Sequence, residues 1–273
     1  MYKVGICGVG FVGNAILQFL IKADKNIKEV VAYDKYKCSE HKCINDFDKL
    51  LSTDLLYICL PTPYSTHLKT YYLKEINIVL EALAISKYTG LILIKSTVLP
   101  DYCTKMNELY PELLIVHNPE FLTARTAVSD FATQKHIVLG FTKQSERKAY
   151  FLKNFYLALF PEASISITES ENSALMKLSC NSFYATKIQF FTELYLLCEQ
   201  MKISYDEVKD LMLKNEWINP QHTNVPGPDD RISFGGDCFP KDISALSAYM
   251  ELQDIPNMVI KASIMERNEM RDD

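Results

Sequence analysis

Two segments of the chain hold residues whose types and spacing suit them to chemistry. The first is Gly8-Val9-Gly10-Phe11-Val12-Gly13. In such a run the first glycine permits a tight turn, the second lets a pyrophosphate approach the backbone, and the third lets a helix pack closely on a strand. The run follows the apolar stretch Tyr2–Cys7 and opens the amphipathic stretch Phe11–Lys22. That is the strand–turn–helix context in which amide N–H groups and the helix dipole receive phosphates. Asp34 ends the next apolar run, about 20 residues on. A carboxylate there accepts the ribose 2′-hydroxyls and repels a 2′-phosphate, so the expected cofactor is NAD and not NADP.

The second segment is Phe234-Gly235-Gly236-Asp237-Cys238-Phe239-Pro240-Lys241-Asp242. Two glycines free the backbone just before the cysteine. Pro240 is suited to start a helix, which places Cys238 near a helix N-terminus. Lys241 follows three residues later. Both features favour the nucleophilic thiolate. On residue types alone, a buried structural cysteine stays open as the other reading of Cys238, since that describes most cysteines.

The elements that must position these segments follow from hydrophobic periodicity. Strand-length apolar runs are expected at 2–7, 28–33, 55–60, 91–95, 113–116 and 137–139, with helices at 11–22 and 72–85. Strands alternating with helices imply βαβ units, right-handed crossovers and ligands at the carboxyl ends of the strands. The pattern changes after Pro161. Residues 169–201 contain neither glycine nor proline and read as one helix. Leu175, Leu178, Phe183, Ile188, Phe191, Leu194 and Leu197 cover more than one stripe of it, which predicts burial on several sides. A further helix is expected over 205–215, with Ser204 as N-cap and Glu207 at the capping-box position. Helices over 242–250 and 257–270 follow the loop 219–240. The expected fold class is α/β: a Rossmann-type, doubly wound parallel sheet over residues 1–167, then an all-helical domain over 168–273 with one long helix.

Composition narrows the functional classes. The 273 residues are 48% hydrophobic and 23% charged, enough for a real core and against wholesale disorder. The net charge is −5 with no basic block, so neither nucleic acid nor a membrane surface is an expected partner. An anionic substrate would need local positive charge. Cys38 and Cys43 have no matching second pair, and no metal site is expected. The cysteines are scattered, most of them in apolar runs, which suits a reducing compartment. No signal peptide is read at the N-terminus and no apolar run approaches ~20 residues. The expected location is the cytoplasm.

Gly-Gly-x-Cys-Phe-Pro-Lys-Asp over 235–242 resembles the hallmark of the UDP-glucose/GDP-mannose dehydrogenases. Other segments resemble that family in order. Leu60-Pro61-Thr62-Pro63 and Lys95-Ser96-Thr97-Val98 look like its cofactor-side loops, and Asn118-Pro119-Glu120-Phe121-Leu122 like its substrate loop. Glu169-Ser170-Glu171-Asn172, leading to Lys177 and Asn181, looks like its central helix. The resemblance implies a nucleotide-sugar substrate whose C6 alcohol is oxidised to a carboxylate by NAD in two steps, through a Cys238 thiohemiacetal and thioester. It implies cofactor contacts at Gly8, Gly10, Phe11, Val12, Gly13, Asp34, Thr62, Pro63, Ser96, Thr97 and Lys241. It implies substrate contacts at Glu120, Phe121, Leu122, Lys177, Asn181, Arg231, Phe234 and Gly235. Lys177 and Asn181 share a helix face and would hold an oxyanion at C6. Asp242 would orient a water or share a proton with Lys177, with helix capping as its other reading. Glu120 would be the base for thioester hydrolysis, with a surface carboxylate as its other reading, and Thr97 would position the water. A homodimer through the long helix is also implied.

Two departures stand out. Ala124, followed by Arg125, occupies the place of a second glutamate in the substrate loop. The family's third, α/β domain of roughly a hundred residues, which holds the nucleotide base, has no counterpart, so the chain reads as a short form. The loop from Pro220 to Arg231 would then supply substitute contacts, with His222 and Arg231 as phosphate candidates, or would be an ordinary structured loop. Two alternatives remain. One is a β-hydroxyacid-type dehydrogenase, which needs no cysteine. The other is a non-catalytic NAD-binding remnant, for which Ala124 speaks mildly.

Overall fold

The computed structural model describes residues 1–23, 26–36 and 43–273, so Cys38 lies outside the described residues. The chain runs β1 (Tyr2–Cys7), α1 (Phe11–Lys22), β2 (Ile27–Tyr33), β3 (Leu55–Ile58), β4 (Tyr64–Ser65), β5 (Thr70–Tyr71) and α2 (Lys74–Ile85). Then come β6 (Leu91–Ile94), α3 (Tyr102–Leu109), β7 (Leu114–His117), α4 (Ala127–Ala132), β8 (His136–Phe141), α5 (Ala149–Leu159) and β9 (Ser164–Glu169). It closes with α6 (Ser170–Met201), α7 (Tyr205–Leu213), α8 (Phe239–Leu252) and α9 (Met258–Met270). Two compact units result. One is Met1–Pro63 with Tyr72–Lys177, and the other is Tyr64–Tyr71 with Leu178–Asp273.

In the first unit the described strands form a seven-stranded sheet in the order β2-β1-β3-β6-β7-β8-β9. Strands β3, β6 and most of β7 are continuous apolar runs, aliphatic but for Tyr57, as strands buried on both faces must be. Alternate residues feed two cores. Val4, Ile6, Leu55, Leu93 and Val116 pack with α1, α4 and α5, while Cys7, Leu56, Ile58, Ile94 and Ile115 pack with α2 and α3. Each fully buried aliphatic side chain contributes roughly 1.5–3 kcal/mol. The strands from β2 to β7 pair in parallel, so their carboxyl ends share one edge. The sheet is not parallel throughout as expected: β8 runs antiparallel to β7, and β9 returns parallel to β8. β9 is absent from the sequence reading because it is an edge strand with mostly exposed or half-exposed residues and no apolar run.

α6 extends over 32 residues, and from Leu178 onward it belongs to the second unit. Ser204 caps α7, its hydroxyl accepting from the Glu207 amide at 3.3 Å. The hairpin β4–β5 packs on α8. Ala185, Phe234 and Ile243 are buried together, with Ile260 and Ile264 of α9 packed on them. The expected burial of α6 on several sides is met only in part. Leu178 and Phe191 are buried, whereas Leu175, Phe183 and Leu197 are exposed in the single chain. α8 also begins three residues earlier than expected, at Phe239, because Pro240 fits the first turn and Cys238 serves as N-cap.

Candidate active site

The glycine loop leaves β1 and enters α1. Gly8 has φ +92°, and a Cβ there would stand 2.7 Å from the Cys59 carbonyl oxygen. A Cβ on Gly13 would stand 1.9 Å from the Gly8 oxygen, which is the close strand–helix contact only glycine permits. Gly10 differs: nothing lies within 4 Å of its Cβ position. The backbone there is bare on the side a pyrophosphate would take, beside the α1 N-terminus that includes Phe11 and Val12. Asp34, just past β2, accepts from the Val9 amide at 2.7 Å and the Tyr36 amide at 2.8 Å. The carboxylate expected to meet the ribose is thereby tied to the glycine loop. The residues present fit a dinucleotide.

Thr62-Pro63, Ser96-Thr97 and Glu120-Phe121-Leu122 follow β3, β6 and β7 at the same sheet edge. The loops are laced together. Thr62 Oγ1 donates to the Thr97 carbonyl at 2.8 Å, and Ser96 Oγ to the Leu60 carbonyl at 2.6 Å. Glu120 is buried; its Oε2 accepts from the Leu122 amide at 2.6 Å and its Oε1 lies 3.5 Å from Lys177 Nζ. Lys177 Nζ also stands 5.1 Å over the Phe121 ring. Sequence reasoning gave no role to two buried groups nearby. Lys95 Nζ donates to Asn118 Oδ1 and the Pro119 carbonyl, both at 3.2 Å, and so holds the turn before Glu120. Burial pushes its pKa down to about 8, opposed by Cys59 and Glu120. His117 pairs through Nδ1 with Ser173 Oγ at 2.8 Å, and burial, then Lys95 and Lys177, hold its pKa down at about 3. The imidazole is therefore neutral.

In the second unit Cys238 is half-buried at the N-cap of α8, after Gly236 at φ +76°. Asp242, fully buried in the first turn, does not cap the helix. It accepts from Asn181 Nδ2 at 2.6 Å, Tyr71 Oη at 2.5 Å and Lys241 Nζ at 2.5 Å. Tyr71 comes from the hairpin and had no sequence signal. Burial, then the Asp242 charge, raises its pKa, which keeps it a donor. Lys241 Nζ also lies 5.0 Å over the Tyr71 ring. Lys177 and Asn181 stand one turn apart on α6.

Three candidates from the loop are placed differently from a simple substrate contact. The Phe234 ring is core, leaving its carbonyl to accept from Arg267. Gly235 packs against the Arg271 guanidinium, and Arg231 pairs with Asp272 at 2.7 Å. The His222 ring lies against Tyr184 and Phe239, with centroids at 5.0 and 5.5 Å. Burial, then Lys187, lowers its pKa, so it is a poor cation for a phosphate. Among the described residues, no group of three or more His, Cys, Asp or Glu is placed to hold a metal, and no helix is long and apolar enough to cross a membrane.

The sheet order, the bare Gly10 and the tethered Asp34 define a dinucleotide-binding protein of the Rossmann type, carrying a helical second unit. The NAD binding domain of the UDP-glucose/GDP-mannose dehydrogenase family matches residues 23–159, and the central domain of that family matches residues 171–270. The chain belongs to this family, and its dinucleotide is NAD. The UDP-glucose 6-dehydrogenase of Rickettsia typhi is 31% identical over 258 residues, covering 92% of this chain and 56% of that protein. The chain thus spans about half the length of the curated relatives it matches. Among solved structures, a UDP-glucose dehydrogenase from the hyperthermophilic archaeon Pyrobaculum islandicum has TM-score 0.83 at 22% identity, over 98% of this chain and 68% of that one. A 3-hydroxyisobutyrate dehydrogenase from Mycobacterium tuberculosis has TM-score 0.77 at 16% identity, over 98% of this chain and 93% of that one.

Proposed function

We propose that the chain oxidises the C6 alcohol of a nucleotide sugar to a carboxylate, a reaction of the UDP-glucose to UDP-glucuronate type. The observation that carries this reading is the cysteine loop. Cys238 caps α8 after two glycines, and the Asp242 carboxylate in the same helix turn gathers Asn181, Tyr71 and Lys241. A buried carboxylate costs several kcal/mol unless such donors surround it. That investment suits a site better than a scaffold.

NAD, when bound along Gly8–Gly13 and Asp34, supplies the hydride acceptor for both oxidations. At the aldehyde stage Cys238 Sγ attacks the carbonyl carbon, forming a C–S bond while the oxygen takes a proton. The Lys177 ammonium and the Asn181 amide hold that oxygen as its charge develops. Asp242 fixes the Asn181 amide with its N–H side toward the carboxylate. Oxidation of the adduct leaves a thioester. Glu120 takes a proton from water, which Thr97 helps to orient, and the hydroxide cleaves the C–S bond, returning the thiol. Replacing Cys238 with serine then stops the reaction at the aldehyde; full conversion to the acid by that variant would defeat the covalent scheme.

A second reading has one observation in its favour. The chain matches nearly the whole length of a 3-hydroxyisobutyrate dehydrogenase fold. A β-hydroxyacid-type enzyme would use the lysine and asparagine of α6 without Cys238 and would yield one NADH per substrate.

The partner in this reading is a second copy of the chain. Phe183, Phe190 and Leu197 recur every seven residues on α6, and are 63%, 53% and 53% exposed. A residue every seventh position returns to one helix face, the seam along which two helices pair. A cytoplasmic location accords with the thiols retained at Cys7, Cys103 and Cys198.

A further inference from the structure

Arg267 and Arg271 bring two guanidiniums to the backbone that leads into Gly235, and Arg231 meets the same pair of C-terminal carboxylates. Arg267 and Arg271 lie four residues apart at the end of α9 and are buried, 7% and 6% exposed. Arg267 Nε donates to the Phe234 carbonyl at 3.2 Å, and Arg271 Nη1 to the Ser233 carbonyl at 3.3 Å. A Cβ on Gly235 would fall 2.2 Å from Arg271 Nη2, so the guanidinium rests on the glycine itself. These cations stand three residues before Cys238.

What they hold is a planar, two-oxygen anion. Asp273 Oδ1 lies 2.7 Å from Arg267 Nη2 and 2.9 Å from Arg271 Nε, and its Oδ2 lies 2.8 Å from Arg271 Nη2. Asp272 Oδ1 accepts from Arg231 Nη2 at 2.7 Å. Asp229 adds a contact to Arg271 Nη2 at 2.6 Å. The two-pronged guanidinium accepts carboxylate and phosphate oxygens in the same geometry. Arg267 and Arg271 are buried and the Arg231 side chain is 42% exposed, whereas those of Asp272 and Asp273 are 93% and 40% exposed. The Asp273 carboxylate therefore covers Arg267 and Arg271 from the solvent side. With a net charge of −5, the chain gives a polyanion no long-range attraction, so a local cation cluster must supply it.

We propose that Arg231, Arg267 and Arg271 form a subsite for the diphosphate of the nucleotide-sugar substrate, and that Asp272 and Asp273 occupy it as an internal competitor until substrate displaces them. The assignment rests on the nucleotide-sugar reading above. It gives the substrate's charged middle a holder on the same loop as the cysteine that would act on its C6.

The test is calorimetric titration of inorganic pyrophosphate, and separately of UDP, with NAD saturating throughout so that the glycine loop is filled. In D272N/D273N each amide keeps one accepting oxygen and loses the competing charge. Both ligands should bind this variant about tenfold more tightly than the wild type, a change equivalent to ~1.4 kcal/mol. Arg231→Met, at a half-exposed side chain, should weaken both in the wild-type background, and keeps the test decisive if D272N/D273N does not fold. Equal affinities in the wild type and each folded variant would overturn the subsite. Tightening for pyrophosphate alone would overturn its assignment to a nucleotide sugar. The titration requires no turnover, so its failure is distinguishable from failure of the oxidation chemistry.

Discussion

Gly10 and Gly13 carry different burdens within one loop. Gly10 has φ −71° and an empty Cβ position, whereas the Gly13 Cβ position lies 1.9 Å from a backbone oxygen. Gly10→Ala should melt within a few degrees of the wild type, yet bind NAD at least tenfold more weakly because the methyl takes the pyrophosphate's place. Gly13→Ala should lose stability outright. Melting curves and NAD titrations separate the two, and unimpaired NAD binding by Gly10→Ala would contradict the assignment. Lys95 makes a pH-dependent prediction. Its folded pKa of about 8 is below the ordinary 10.5, so between those values the unfolded chain holds a proton the folded chain has released. Stability rises with pH across that window, and the penalty of the buried charge is fully present below it. The wild type should gain in urea midpoint relative to Lys95→Met as pH rises from 7 to 10; a constant difference would refute the lowered pKa. At this scale the glycine loop and Asp34 are legible in the sequence because local spacing encodes them. Tyr71 is not, since it meets Asp242 from 171 positions away, which no local pattern reports.

Most elements are legible for the same reason: aliphatic runs and 3.6-residue periodicity are local. The misreadings occur where an element depends on its neighbours. β9 has no apolar run and forms because β8 offers a free edge over six residues. β8 turns antiparallel because of the connection from β7, which residue type does not reveal. The α6 pattern predicts burial on several sides, and one chain buries two of its faces, one through Leu178 and Ala185 and one through Phe191 and Cys198. The face left exposed through Phe183, Phe190 and Leu197 is the basis for the expected homodimer. Phe190→Glu places a charge at the middle of the seam and should convert a dimer to a monomer in sedimentation at micromolar concentration. A wild type that already sediments as a monomer would remove the second-copy partner.

For the molecule as a whole, the family assignment spans both units, while the chain spans about half the length of its curated relatives. The loop around Gly235 was visible in the sequence; the arginines at the end of α9 were not, because their role depends on a backbone some forty positions earlier, as the Arg271–Ser233 bond shows. The central claim is a four-electron oxidation through Cys238. The most direct measurement is the number of NADH formed per UDP-glucose consumed, followed by absorbance with substrate limiting. The account predicts two for the wild type and no acid product from Cys238→Ala. One NADH per substrate, unaffected by Cys238→Ala, would contradict it and favour the simpler β-hydroxyacid chemistry.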